Sequence, residues 1–132
     1  MVYIKILMTI EKYKLAFIGG GIRSSIGKIH SIASTMDKRW EICSGIFSKS
    51  NKINIETAKL YGVNRNRVYN NFDNFIKYEK NKIDAVVLIL PTPIRSKYLK
   101  RLLKLKIPII SEKPLIDNYN DYKFLKRFKK NL

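Results

Sequence analysis

The sequence contains one cysteine, one histidine and only 10 acidic residues among 132. A single cysteine, Cys43, excludes an internal disulfide and is typical of a protein from a reducing, cytoplasmic setting. Cys43 lies in an apolar run, which favours a buried small side chain over a nucleophile. With so few sulfur and imidazole ligands, we expect no structural zinc site and assign no metal ligands.

Long hydrophobic runs are also missing. No segment approaches the ~20 apolar residues that a membrane-spanning helix needs, so we expect no membrane partner. The N-terminal stretch includes Lys5 and lacks the apolar core and cleavage site of a signal peptide. We interpret residues 1–13 as an N-terminal extension, with a start at Met1 or Met8, and residues 14–132 as one domain.

Basic residues outnumber acidic ones by 27 to 10, which gives a formal net charge of +17 at pH 7. Clustered lysine and arginine side chains bind nucleic acid by replacing the cations around its phosphates. Here the lysines are spread over nearly every segment, and two denser groups, residues 97–106 and 123–130, lie on the polar sides of helical patterns. We therefore interpret the charge as compositional, with a general attraction to anions, and do not expect specific nucleic-acid binding.

Apolar runs alternate with amphipathic segments, as in β–α units that surround a parallel sheet. The first predicted helix, residues 25–37, carries Ile26, Ile29, Ala33 and Met36 at helical spacing on one face. The expected fold class is α/β, a Rossmann-like doubly wound parallel sheet of about five strands in the order 3-2-1-4-5. Strands are predicted at residues 14–18, 41–47, 67–69, 85–90 and 107–111, and further helices at 54–61, after a cap at Asn71 or Asp73, at 95–106 and from 118.

The segment KLAFIGGGIRSSIGKIH, residues 14–30, is the most informative in the chain. An apolar strand runs into three glycines and then into a helix. Glycines let the backbone approach a ligand closely, and the first free N–H groups of the helix bind phosphate. Gly19 and Gly21 fit the dinucleotide pattern Gly-x-Gly-x-x-Gly, whereas Gly27 comes three residues late. The pattern favours dinucleotide binding over a turn that only reverses the chain.

The stretch inserted before the third glycine contains Arg23, Ser24 and Ser25, which offer a cation and hydroxyl donors beside a pyrophosphate. A P-loop is excluded because Lys28 is followed by Ile29 and not by the hydroxyl residue that binds magnesium.

The second predicted strand ends in Phe47-Ser48-Lys49-Ser50, without an acid. A carboxylate at this position usually binds the ribose 2′-hydroxyl of NAD. Ser48 and Lys49 suit a 2′-phosphate, so we predict NAD or NADP as cofactor, with a preference for NADP. The alternative is that Lys49 is one of many surface lysines.

Taken together, these features resemble the Gfo/Idh/MocA family of NAD(P)-dependent oxidoreductases over residues 14–115. The glycine turn leads to His30, and Thr92-Pro93 follows the fourth predicted strand. The most specific marker is Glu-Lys-Pro within SEKPL, residues 111–115, after the fifth predicted strand.

The resemblance implies a cofactor crevice beyond the carboxyl ends of strands 1, 4 and 5, where open α/β sheets bind ligands. It assigns Lys113 as the catalytic residue, reaching the nicotinamide ribose and the substrate, since an ammonium there can polarise a hydroxyl or carbonyl. His30 is interpreted as a packed helix residue. The implied cofactor-binding residues are Gly19, Gly21, Ile22, Arg23 and Gly27 at the pyrophosphate, Ser48 and Lys49 at the adenosine ribose, Leu90, Pro91 and Thr92 near the nicotinamide, and Glu112 with Lys113.

The implied function is NAD(P) binding within an oxidoreductase that acts on a sugar-like or polyol substrate. The family's second domain, which forms the substrate pocket, does not follow here, so we expect the chain alone to be inactive, as a short product or an interrupted reading frame. The alternatives are a non-catalytic nucleotide-binding or regulatory module whose basic surface meets an acidic partner or nucleic acid, and a gene remnant. The resemblance also implies a sixth strand beside the fifth, and the predicted sheet ends before it. Residues 107–111 then form an apolar edge that predicts self-association, which Pro108 limits only in part.

Overall fold

The structure is a computed structural model that describes residues 11–129. Residues 130–132 and most of the predicted N-terminal extension lie outside this range. In chain order the elements are β1 (Tyr13–Gly19), α1 (Ser25–Thr35), β2 (Trp40–Ile46), α2 (Asn51–Leu60), a 3-10 turn (Arg65–Arg67), α3 (Phe72–Glu79), β3 (Ala85–Ile89), α4 (Thr92–Lys104), β4 (Ile109–Ser111) and α5 (Tyr119–Lys129). No helix in this range is long and apolar enough to cross a membrane.

The four strands form one parallel sheet in the order β2-β1-β3-β4. This confirms the predicted α/β fold class with a doubly wound parallel sheet. The register pairs Leu15 with Ala85 and Gly19 with Ile89, so β1 and β3 end side by side. The chain leaves the sheet at this edge through the glycine turn after β1 and through the loop after β3, which fixes where a ligand crevice can form.

The predicted third strand, residues 67–69, is wrong as a strand. It is reduced to one parallel bridge between Gly45 and Val68, beside β2. The reason is the buried side chain of Asn54, which accepts a hydrogen bond from the Phe47 amide (2.8 Å) and donates one to the Tyr69 carbonyl (2.8 Å). Because a side chain satisfies these two backbone groups, a longer ladder does not form between the segments.

Two hydrophobic layers enclose the sheet. Leu15 and Phe17 of β1 face a layer with Phe47, Ala58 and Val63. Their neighbours in β1 and β3 face the opposite layer, which α3 and α4 supply; it contains Ala16, Ile18, Val86, Leu88, Phe72, Phe75, Leu99 and Leu102. Central strands covered on both sides read as continuous apolar runs, which is why β1 and β3 are predictable from sequence.

The apolar face of α1 is not part of this core. Ile29 and Met36 are 59% and 73% exposed, and the buried residues of the helix are Gly27 and Ser31. Small residues face the sheet because α1 passes close to the glycine turn, where a larger side chain would not fit. Helical spacing alone therefore indicates the wrong buried side of this helix.

Two helices begin earlier than predicted. α4 begins at Thr92 and not at residue 95, because Pro93 in its first turn needs no hydrogen-bond acceptor and has a helical φ. α2 begins at Asn51, after Ser50, whose hydroxyl accepts a hydrogen bond from the Ile53 amide (3.5 Å). Both changes shorten the loops at the carboxyl edge of the sheet.

Candidate functional site: a crevice at the carboxyl edge of the sheet

The turn after β1 requires glycine residues, which have no side chain. Gly19 has φ +87° and Gly20 has φ +74°, a region that residues with a Cβ rarely adopt. A Cβ on Gly19 would lie 1.8 Å from the carbonyl oxygen of Ile89. The end of β1 can therefore pack directly against the end of β3, and the crevice opens above both strands.

Gly27 brings the helix to the turn. A Cβ on Gly27 would lie 2.4 Å from the carbonyl oxygen of Gly20, so the backbones of α1 and the turn are in contact. This is the close packing that the third glycine of a dinucleotide motif provides. The sequence interpretation passed over Gly20, although three consecutive glycines were a visible signal.

The first turn of α1 offers backbone donors at the crevice. Ser24 is the N-cap, and its hydroxyl accepts a hydrogen bond from the Gly27 amide (3.0 Å). The amides of Ser25 and Ile26 donate to no acceptor within residues 11–129. Free N–H groups at the positive end of a helix suit an anion such as a pyrophosphate.

Two side chains from α2 and its C-terminus hold the turn, and the sequence interpretation missed both. The Ile22 amide donates to the Thr57 hydroxyl (3.0 Å), and the Tyr61 hydroxyl donates to the Gly20 carbonyl (3.1 Å). Burial raises the pKa of Tyr61, so the phenol stays protonated and remains a donor. Nothing in the local pattern of α2 distinguishes these residues from ordinary core residues.

The crevice consists of two adjoining open grooves of about 440 and 410 Å³. They share Ser24, Ile89, Leu90 and Pro91, so they form one cleft along the carboxyl edge of the sheet. Beyond these shared residues, the first groove is lined by Gly19, Gly20, Gly21, Arg23, Phe47, Ser48 and Ile53, and the second by Ile26, Arg95, Glu112 and Lys113. The predicted phosphate end and the predicted nicotinamide end thus lie on one surface.

Four predicted site residues lie beside this crevice without lining it. Gly27 packs against Gly20 below the turn. Ile22 is exposed, and Thr92 is the first residue of α4. Lys49 lines a separate groove of about 400 Å³ together with Lys97 and other residues that follow β2 and the 3-10 turn.

Lys113 is exposed at the far end of the crevice and forms no ion pair within the described range. Its neighbour Glu112 lies 2.6 Å from Nε2 of His30, measured from Oε1. This hydrogen bond is the main cause that lowers the pKa of Glu112. His30 therefore links α1 to the loop that contains Lys113, through its hydrogen bond with Glu112.

No group of three or more His, Cys, Asp or Glu side chains in the described part of the chain could hold a metal ion. Cys43 is free and buried, as predicted, and burial raises its thiol pKa, which disfavours the reactive thiolate.

Comparison with known protein families identifies the type of domain. Residues 13–131 match the Gfo/Idh/MocA family, described as an oxidoreductase family with an NAD-binding Rossmann fold. The chain belongs to the Gfo/Idh/MocA oxidoreductases. The predicted resemblance is confirmed, and the fold is that of the NAD-binding domain of this family.

Solved structures agree with the family assignment. An oxidoreductase from Sinorhizobium meliloti is 29% identical, with a TM-score of 0.79, over 91% of this Gfo/Idh/MocA chain and 34% of the other. An inositol dehydrogenase homolog from Azotobacter vinelandii, complexed with NAD+, is 23% identical, with a TM-score of 0.83, over 92% and 32% of the two chains. The apo scyllo-inositol dehydrogenase from Lactobacillus casei is 21% identical, with a TM-score of 0.76, over 94% and 35%.

The last two likenesses establish the fold alone. This Gfo/Idh/MocA chain spans about a third of the length of the solved proteins that it matches. No curated protein sequence matches it significantly.

Proposed function

We propose that the chain binds the dinucleotide along the crevice, as the cofactor-binding part of an enzyme that transfers hydride. The pyrophosphate lies at the glycine turn and the nicotinamide lies at Lys113. The observation that best supports this orientation is the continuity of the two grooves through Ser24, Leu90 and Pro91. When bound, the nicotinamide ring supplies the hydride donor or acceptor.

Each part of the chain then has a separate task. The glycine turn and the free amides of Ser25 and Ile26 bind the diphosphate and fix its position. The ammonium of Lys113 orients the reacting hydroxyl or carbonyl and stabilises charge that develops on its oxygen. We further propose that protein outside this chain completes the pocket for a sugar-like or polyol substrate, and that the chain acts in the cytoplasm.

NADP is proposed as the preferred dinucleotide. Ser48 lines the crevice at the end of β2 without a carboxylate beside it, and Lys49 follows it. The separate groove that contains Lys49 is also lined by Lys97, Arg101 and one carboxylate, Asp73, so cations outnumber acids there. A carboxylate would attract a 2′-hydroxyl and repel a 2′-phosphate, and lysine reverses that preference.

Fluorescence titration with NADPH and NADH tests both proposals. We expect saturable binding of both, with NADPH bound more tightly. Lys49→Glu should weaken NADPH binding by about tenfold or more, the value of one charge-assisted hydrogen bond, and should change NADH binding little. Lys59→Glu makes the same charge change on an exposed residue at the end of α2 and should leave both affinities unchanged. Failure of both dinucleotides to bind would refute the proposed site, and equal affinity for both would refute the preference.

Self-association through β4 is a further proposal. β4 has three residues, pairs only with β3 within the described range, and leaves Ile110 44% exposed. An unpaired edge of this kind can pair with another chain. Because each copy carries a net charge of +17, association should strengthen as salt screens the repulsion.

Sedimentation at low and high ionic strength tests this proposal. The expected result is a larger species that increases with salt and disappears in Ile110→Lys, which places a charge on the edge. A monomer at all salt concentrations would refute it.

A further inference from the structure

Arg95 is a buried arginine that the sequence interpretation did not single out. It lies in the first turns of α4, is 4% exposed, and forms no ion pair with a carboxylate of residues 11–129. A buried guanidinium is costly unless its donors are satisfied. Here backbone carbonyl oxygens satisfy them.

These carbonyls belong to the two loops that border the crevice. Nε and Nη2 donate to the Leu90 carbonyl at 2.9 and 2.7 Å, at the end of β3. Nη1 donates to the carbonyls of Glu112 (2.6 Å) and Pro114, after β4. One side chain therefore joins the Leu90 loop to the residues on both sides of Lys113.

We propose that Arg95 is a positioning residue that sets the place of Lys113 relative to the nicotinamide end of the crevice. This inference rests on the proposed function. The carbonyls of Glu112 and Pro114, the residues before and after Lys113, both accept from Nη1, and the Lys113 side chain is exposed and lines the crevice. The hydrogen bond between Glu112 and His30 holds the same loop from α1. The backbone of Lys113 is thus fixed from two helices, and its ammonium is left available.

Only arginine suits this arrangement. A guanidinium presents five donors in a rigid plane, which allows Nε and both terminal nitrogens to reach three carbonyls at once. A lysine at position 95 keeps the charge but offers one nitrogen on a flexible stem. Arg95→Lys therefore releases part of the Lys113 loop without removing the positive charge.

The test compares ligands that differ only at the nicotinamide. NADPH and 2′-phospho-ADP-ribose form one such pair, and NADH and ADP-ribose form the other. We expect wild-type protein to bind each dinucleotide more tightly than its shortened partner. Arg95→Lys should bind each dinucleotide about tenfold more weakly, while its affinity for the shortened ligands stays within about twofold of the wild-type value. The variant should therefore lose most of the preference for dinucleotide over shortened ligand. A parallel decrease should appear in the enhancement of nicotinamide fluorescence on binding.

Arg67→Lys is the matched control, because Arg67 forms an ion pair with Glu79 away from the crevice. It should lower the unfolding midpoint and leave the ratio of the two affinities unchanged. The inference is overturned if Arg95→Lys keeps the wild-type ratio of dinucleotide affinity to shortened-ligand affinity, which includes equal weakening of both ligands. It is also overturned if wild-type protein binds the two ligands of a pair equally. If wild-type protein binds neither ligand of either pair, the proposed function itself is refuted.

Discussion

Replacing Gly21 by valine is expected to weaken dinucleotide binding strongly while the chain remains folded. Gly21 is buried in the glycine turn and lines the crevice. A Cβ there would lie 3.0 Å from the carbonyl oxygen of Phe47 and 3.2 Å from Cγ2 of Ile53, so a branched side chain must displace the turn. Losing two charge-assisted hydrogen bonds to a diphosphate corresponds to about 3 kcal/mol, or roughly 100-fold in affinity. Titration with NADPH or NADH measures the loss.

Gly62→Ala separates this loss from destabilisation. Gly62 follows α2 with φ +70°, so alanine there is strained, yet nothing lies within 4 Å of the added Cβ. This variant should lose about 1 kcal/mol of stability and bind dinucleotide normally. Thermal unfolding of both variants verifies that each is folded during the titration. Unchanged affinity in folded Gly21→Val would show that the pyrophosphate does not approach this turn.

The sequence predicts which residues line the crevice where their positions are determined by the backbone at the ends of strands. Glycines that follow an apolar strand indicate a turn that a ligand can approach, and the structure places Gly19, Gly20 and Gly21 there. The Glu-Lys-Pro marker after the last strand likewise brings Lys113 to the same crevice. In both cases a short local pattern determines the position, because parallel strands all end at one edge of the sheet.

What could not be predicted depends on contacts between distant segments. Asn54 satisfies backbone groups of Phe47 and Tyr69 and so replaces the outer strand, but its sequence position gives no sign of that role. The buried face of α1 is set by its closeness to Gly20, not by its own apolar spacing. Arg95 looks like one more basic residue in a chain with 27 of them until its three carbonyl partners are known.

Replacing Glu79 by glutamine is expected to cause the largest loss of stability among these variants. Glu79 is 0% exposed at the end of α3 and accepts hydrogen bonds from Nε (3.1 Å) and Nη2 (2.5 Å) of Arg67 and from the Tyr69 hydroxyl (2.7 Å). Burial, followed by the bond to Glu79, raises the pKa of Tyr69, so the phenol is a donor at all ordinary pH values. Removing the carboxylate leaves the Arg67 guanidinium, whose side chain is 30% exposed, without its counter-ion. This costs about 2 kcal/mol, less than the loss of one partner from a fully buried pair. Urea unfolding measures the change.

Asp73→Asn is the matched control. Asp73 lies on α3, like Glu79, but forms an exposed ion pair with Arg101 of α4. An exposed pair contributes less than about 1 kcal/mol, so this variant should unfold close to the wild-type midpoint. The larger effect at Glu79 follows from the contacts of its carboxylate. Through Arg67 and Tyr69 it anchors the segment that lies beside β2, where the third strand was predicted. With one backbone bridge in place of a ladder, side chains must secure that edge of the sheet. Equal destabilisation by the two variants would show that the Asn54 hydrogen bonds and hydrophobic packing are sufficient to hold it.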